Sequence, residues 1–188
     1  MSQDDNLKHI VEESKKDPEA FVKVYDLFFN KIYGYVYYKV GSVEDAEDIT
    51  EQVFLKALVA IGKFKWEGAF FSSWLFKIAH NQIVDYFRAR AKTVNNKTVN
   101  NIPDEQMDKI PDKGECLERI VETKMSLSYI QNEILKLTKE QQDVLILKFL
   151  SGFSNMEIAK FLNKTEGAVK ALQHRALNSL RKILKERY

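Results

Sequence analysis

Apolar residues along this chain recur at three- and four-residue intervals and nowhere alternate as in a strand. From Asp17 and Pro18 to about Gly41 the repeat runs Phe21, Val24, Tyr25, Phe28, Ile32, Tyr35, Val36. Asp as N-cap followed by proline, whose fixed φ suits a first helical turn, marks where that helix starts. Ser42 can cap a second helix with Ala46, Ile49, Val53, Ala57 and Ile61 facing inward. An irregular stretch over residues 63–72 leads to a third helix from Ser73 to about Ala91, with Leu75, Ile78, Ala79, Ile83, Tyr86 and Phe87 as its apolar side. Periodicity then stops. Asn95, Asn96, Asn100, Asn101, Pro103, Pro111 and Gly114 are turn formers, and so long an aperiodic run is a linker or a functional loop. The helical pattern resumes over residues 118–137 through Ile120, Met125, Leu127, Ile130, Ile134 and Leu135. Thr138 and Gln141 are spaced as a capping box, opening a helix that buries Val144, Leu145, Leu147 and Phe149 until Gly152 stops it. The pattern predicts an all-α chain of two small helical domains, residues 10–91 and 119–188, joined by a flexible linker over residues 92–118.

Residues 154–177 are the most informative segment. Ser154 and Glu157 form a second capping box, and Ile158, Ala159 and Leu162 give a short helix its apolar stripe. Asn163 and Lys164 break it, and Thr165 caps another helix whose Val169, Leu172, Ala176 and Leu180 share one face. Lys170, His174, Arg175 and Arg181 lie elsewhere on that helix. A short helix, a tight turn and a basic helix predict a helix-turn-helix whose second helix enters a DNA major groove.

Charge distribution sharpens this where composition alone does not. The net charge is only +2, but residues 164–188 carry seven Lys or Arg against two Glu, and residues 77–97 five against one Asp. Between Ser42 and Gln52 there are five acids and no base, and residues 99–118 carry six acids against two lysines. Two basic patches separated by acidic segments predict two nucleic-acid contacts and surfaces with other duties. The single cysteine, Cys116, excludes an internal disulfide and a multi-cysteine zinc site, and His9, His80 and His174 are too scattered for a metal-ligand spacing. No metal or cofactor is expected. With no membrane-length apolar run and a polar start, the chain reads as cytoplasmic, without membrane insertion.

The third helix carries the second constellation. Lys77, Asn81 and Arg88 fall on one face with His80 beside them, just after Phe64, Lys65, Trp66, Phe70, Phe71, Ser72 and Trp74. Cations interleaved with aromatics can track phosphates while stacking unpaired bases. Phe64 and Trp74 are assigned to the core; Trp66 and the loop from Lys65 to Ser72 are left to either role. A duplex reader and a single-strand reader in one chain point to a protein that finds a site and opens it.

Together these segments resemble the extracytoplasmic-function (ECF) sigma factors, the small two-domain initiation factors of bacterial RNA polymerase. Residues 45–48 followed by 53–57 resemble the family's acidic helix; residues 64–81 with Asp85 and Arg88 resemble its promoter-melting segment; residues 137–141, 154–159 and 167–176 resemble its terminal domain. The resemblance implies that Glu44, Asp45, Asp48, Glu51, Gln52 and Phe54 dock on the beta-prime clamp of core RNA polymerase. It implies that Thr165, Glu166, Lys170, Ala171, His174 and Arg175 read the duplex minus-35 element of promoter DNA, and that Lys65, Trp66, Phe70, Phe71, Ser72, Lys77, Asn81 and Arg88 hold the melted minus-10 strand. A second contact to the beta flap, an acidic linker threading the polymerase channels, and an anti-sigma factor are also implied. Two departures stand out: the order Glu51, Gln52 is the reverse of the usual one, and Ala168, Ala171 and Leu177 replace hydroxyl or basic residues, leaving Lys170, His174 and Arg175 as the chief base readers. The competing reading is a stand-alone helix-turn-helix regulator of duplex operators. Without a glycine-rich phosphate loop or a nucleophile–base pair, an enzyme is not expected.

Overall fold

A computed structural model describes residues 3–66, 70–96 and 130–185, and these are helical throughout apart from turns and short connections. The chain opens with a helix the periodicity argument above did not include, α1 (Gln3–Ser14). Leu7, Ile10, Val11 and Ser14 are spaced i, i+3, i+4 and i+7, and Val11 is fully buried. The repeat was diluted by acidic and amide neighbours. Asp17 accepts a hydrogen bond from the Glu19 amide (2.9 Å), and Pro18–Ala20 form a single 3-10 turn before α2 (Phe21–Val40). Gly41, at φ 82°, ends α2 in the left-handed conformation that only glycine adopts without strain. Ser42 then accepts from the Asp45 amide and starts α3 (Val43–Ala60), whose Ala46, Ile49, Val53, Ala57 and the following Ile61 are all buried as the spacing predicts.

The next helix, α4 (Phe71–Asn96), begins two residues earlier than expected and runs past Ala91. Burial of Phe71 draws the chain into helix before Ser73, and the Ser73 hydroxyl donates to the Glu157 carbonyl at 3.1 Å. Tyr25 and Phe87, placed on apolar faces by spacing, are at the edges of the core and partly exposed.

Residues 130–135 (α5) lead through a turn to Thr138, whose capping box with Gln141 opens α6 (Lys139–Leu145). The expected region 118–129 and the linker core lie outside the described residues. After Leu145 the helix widens to a π turn over Ile146–Leu150, with the Ser151 amide donating to the Ile146 carbonyl at 3.0 Å. The extra residue per turn rotates Phe149 off the buried face, and it is 60% exposed rather than buried. Phe153 fills the core instead, edge-on to Phe76 at 4.7 Å. Gly152, at φ 74°, supplies the stop.

Ser154 and Glu157 complete their capping box at the start of α7 (Asn155–Leu162), Asn163 turns the chain at φ 53°, and Thr165 accepts from the Ala168 amide (3.2 Å) to begin α8 (Glu166–Lys185). Val169, Leu172 and Ala176 seat α8 on α6 and α7. The Ser154→Ala substitution, which removes one side of the box, is expected to lower stability by about 1 kcal/mol in urea unfolding.

The two helical units pack on each other. Tyr35 of α2 meets Phe161 of α7, Phe76 of α4 meets Phe153, and the Gln131 amide donates to the Tyr37 carbonyl at 2.8 Å.

Candidate nucleic-acid and polymerase interfaces

Burying Val169, Leu172 and Ala176 turns the opposite face of α8 outward, so Glu166, Lys170, Ala171, His174 and Arg175 are all exposed, with Thr165 just ahead of the helix. This is the arrangement a groove-reading helix needs. Among the described residues neither Lys170 nor Arg175 pairs with a carboxylate, so both cations are available to acceptors on DNA. Neighbouring groups are committed elsewhere: Gln173 donates to Asn155 at 2.9 Å and ties α8 to α7, and Lys164 pairs with Glu140 at 3.0 Å. The Asn178 amide lies 3.2 Å from His174 Nδ1; donating to it fixes the tautomer that leaves Nε2–H as an outward donor.

On α4, Lys77, Asn81 and Arg88 share an exposed face as the spacing predicts, and Arg88 makes a solvent-exposed contact with Asp85 at 3.2 Å. His80 departs from that group: its Nδ1 is 3.2 Å from the Tyr35 hydroxyl, and burial lowers its pKa below the usual histidine value. At the head of the helix the expected set divides. Lys65 is exposed, and Trp66 and Phe70 are half-buried. Phe71 is 1% exposed, packed against Phe28, Phe64, Trp66 and Trp74, so it is a core residue and not a base-stacking platform. The Trp66 indole donates to Glu12 of α1 at 2.8 Å, which fixes its ring at the edge of this aromatic cluster. Hydrogen bonding, first from Lys15 and also from Trp66, holds the Glu12 carboxyl below its ordinary pKa. Ser72 is buried, its hydroxyl donating to Glu157 at 2.6 Å. Residues 67–69 of this loop lie outside the described residues.

On α3, Glu44, Asp48, Glu51 and Gln52 form an exposed polar face. Asp45 serves the fold as well: it accepts from the Tyr86 hydroxyl at 2.8 Å, and burial together with this bond raises the phenol's pKa. Phe54 is 4% exposed, wedged between Phe21, Tyr25 and Phe29, so it supports the acidic face from below and does not belong to its surface.

Residues 24–93 match the family described as Sigma-70 region 2, and residues 127–180 match Sigma-70, region 4. The chain is 32% identical over 192 residues to the ECF RNA polymerase sigma factor SigW of Bacillus subtilis, covering 95% of this chain and 96% of that protein. The chain belongs to the ECF sigma factors. It is also 33% identical to the ECF sigma factor BldN of Streptomyces coelicolor over 89% of its length, and spans 61% of that longer relative. Its fold matches CnrH, solved in complex with the cytosolic domain of CnrY (TM-score 0.71, 18% identity, 94% of this chain and 96% of that one). It also matches the sigma factor RpoE of Bartonella quintana, solved with the anti-sigma factor NepR (TM-score 0.67, 23% identity, 88% and 96% covered).

Within this sigma factor, one polar cluster escaped the sequence argument. Lys39 of α2 and Asp143 of α6 form an ion pair at 2.8 Å with side chains 6% and 4% exposed. The Tyr35 hydroxyl donates to the same carboxylate at 2.9 Å, and Lys39 also donates to Gln142 at 3.3 Å. Since the phenol's one proton goes to Asp143, its oxygen accepts from Nδ1–H of His80. The available signal was slight: Lys39 continues the buried stripe of Phe28, Ile32 and Tyr35. Nothing local announces a partner 104 residues away. Among the described residues no group of acids, histidines or cysteines is placed to hold a metal, and no helix is long and apolar enough to cross a membrane.

Proposed function

We propose that this chain binds core RNA polymerase and directs it to promoters, reading the minus-35 element as duplex and the minus-10 element as a melted strand. The observation that carries this reading is the presence, in one chain, of two distinct exposed basic faces: Lys170, His174 and Arg175 on α8, and Lys77, Asn81 and Arg88 on α4. The first suits a major groove, where Arg and Lys meet guanine acceptors. The second follows a half-buried aromatic pair, Trp66 and Phe70, able to stack one unpaired base for about 1–3 kcal/mol and so offset part of the expense of turning it out. The acidic face of Glu44, Asp48 and Glu51 is assigned to the beta-prime clamp, and the second unit to the beta flap. Residues 92–118 are assigned to the polymerase channels from the family resemblance, with which the six acids and two lysines of residues 99–118 are compatible. An anti-sigma factor is proposed as regulator, because the similar RpoE was solved with the anti-sigma factor NepR and the similar CnrH with the cytosolic domain of CnrY. The role is one of binding, in the compartment that holds the polymerase.

Transcription in vitro with core polymerase tests this directly: the purified chain should support initiation from a defined start, with footprints on DNA appearing only when polymerase is present. A sequence-specific footprint from the chain alone would favour a stand-alone regulator, a reading that gives α3 and the α4 face no task. Asp48→Lys with Glu51→Lys is expected to weaken polymerase binding about tenfold, mainly through slower association at low salt. Fluorescence anisotropy against core enzyme measures it, and unchanged circular dichroism confirms that these exposed sites are not structural.

A further inference from the structure

The last turn of α1 lies against the strand-reading loop. Glu12 and Lys15 are one turn apart there, and a single oxygen, Glu12 Oε1, accepts from the Lys15 ammonium at 2.7 Å and from the Trp66 indole at 2.8 Å. The Lys15 ammonium also lies over the Phe64 ring, 5.7 Å from its centroid, with its side chain 17% exposed. Phe64 in turn meets Trp66 edge-on at 5.1 Å. The helix that carries the acceptor is itself seated: Val11 is fully buried, and Lys23 of α2 donates to Glu13 at 3.0 Å. Contacts with Phe64 and Phe71 place Trp66 at the edge of the core, and a half-buried indole N–H needs an acceptor, which Glu12 supplies from 54 residues away. A hydrogen bond to a carboxylate is directional and stronger than one between neutral groups, so it turns the N–H edge toward α1 and holds the ring in one orientation. With the Glu12 side chain 43% exposed, its pair with Lys15 adds little to stability, and its consequence lies in where it puts Trp66.

We propose that Glu12 is a positioning residue for strand capture, holding Trp66 in the orientation that receives an unpaired base, so that α1 belongs to the strand-reading site. This rests on the assignment of Trp66 and the α4 face to a melted strand. A ring already held loses little rotamer freedom when a base stacks on it, and that saving strengthens capture without any new contact to DNA.

The test uses the full chain with core RNA polymerase, on promoters selected from a randomised DNA library by transcription with the two together. Glu12→Ala should lower permanganate reactivity of unpaired thymines about fivefold, while footprints of the closed complex at low temperature stay unchanged. Glu12→Gln keeps an acceptor oxygen and should open promoters as the parent does. In a Trp66→Phe chain, which keeps a ring but lacks the N–H, adding Glu12→Ala should have no further effect, as expected of two residues acting through one contact. Fluorescence gives a reading independent of DNA. In a Trp74→Phe background Trp66 is the one remaining tryptophan, and Glu12→Ala should raise acrylamide quenching of its emission while Glu12→Gln should not. Unchanged quenching in Glu12→Ala would overturn the inference, because this bond would then not be what holds the ring. Normal opening by Glu12→Ala beside a defect in Trp66→Ala would overturn the positioning role and leave the melted-strand reading standing. Normal opening by Trp66→Ala would remove Trp66 from the strand-reading site, and the inference with it. A further loss on adding Glu12→Ala to Trp66→Phe would also overturn it, because Glu12 would then act through the fold. Failure to select any promoter with core polymerase would overturn the proposed function itself, and this role with it.

Discussion

Phe71→Ala is expected to destabilise the protein by about 3–5 kcal/mol, a large part of the roughly 5–15 kcal/mol available to a folded domain. The ring is 1% exposed and makes edge or tilted contacts with Phe28, Phe64, Trp66 and Trp74 at centroid distances of 5.6, 5.3, 6.4 and 5.2 Å. Truncation removes its transfer free energy and leaves a cavity that a cluster of rigid rings closes poorly. Urea unfolding followed by circular dichroism measures the loss. Phe70, the half-buried residue before it, provides the contrast. Phe70→Ala should change stability by less than about 1.5 kcal/mol while reducing strand opening, measured as permanganate reactivity of unpaired thymines. A stable Phe71→Ala protein defective only in opening would return Phe71 to the DNA-contacting set.

Arg175→Ala and Lys170→Ala are expected to reduce selection of the upstream promoter element by about 1–3 kcal/mol each where the side chain makes a bidentate contact to a base. Both cations are exposed on the outward face of α8 and, among the described residues, have no carboxylate partner, so neither change should disturb the fold. The alternative role gives a different signature. A contact to phosphate alone would weaken binding on every sequence alike and lower the salt slope by about one. Transcription from paired promoters that differ only in the upstream element, repeated across a salt series, distinguishes the two. Asn81→Ala should leave this selection intact and impair opening, because Asn81 lies on the α4 face with Lys77 and Arg88 and has no place on α8. The two readers are thereby separable by mutation.

Sequence alone determined most of the helices, the capping boxes and the outward face of each reader helix. Helical periodicity placed Ala46, Ile49, Val53 and Ala57 inside and, by the same geometry, Asp48, Glu51 and Gln52 outside. Capping chemistry is equally local: Ser154 with Glu157, Thr138 with Gln141, and Thr165 ahead of α8 all act where their spacing says. Periodicity failed at Phe149, because a π turn shifts the phase of everything after it, and at α1, because polar neighbours thinned the repeat. Which aromatic residues face DNA was a tertiary matter. Phe71 and Phe54 look no different in sequence from Phe70, and only the convergence of α1, α2, α3 and α4 puts those two inside. The relation between the units was also beyond the sequence. Lys39 and Asp143 are each an ordinary charged residue on its own helix, and their cluster with Tyr35 and Gln142 exists only because packing brings α2 against α6 and excludes water.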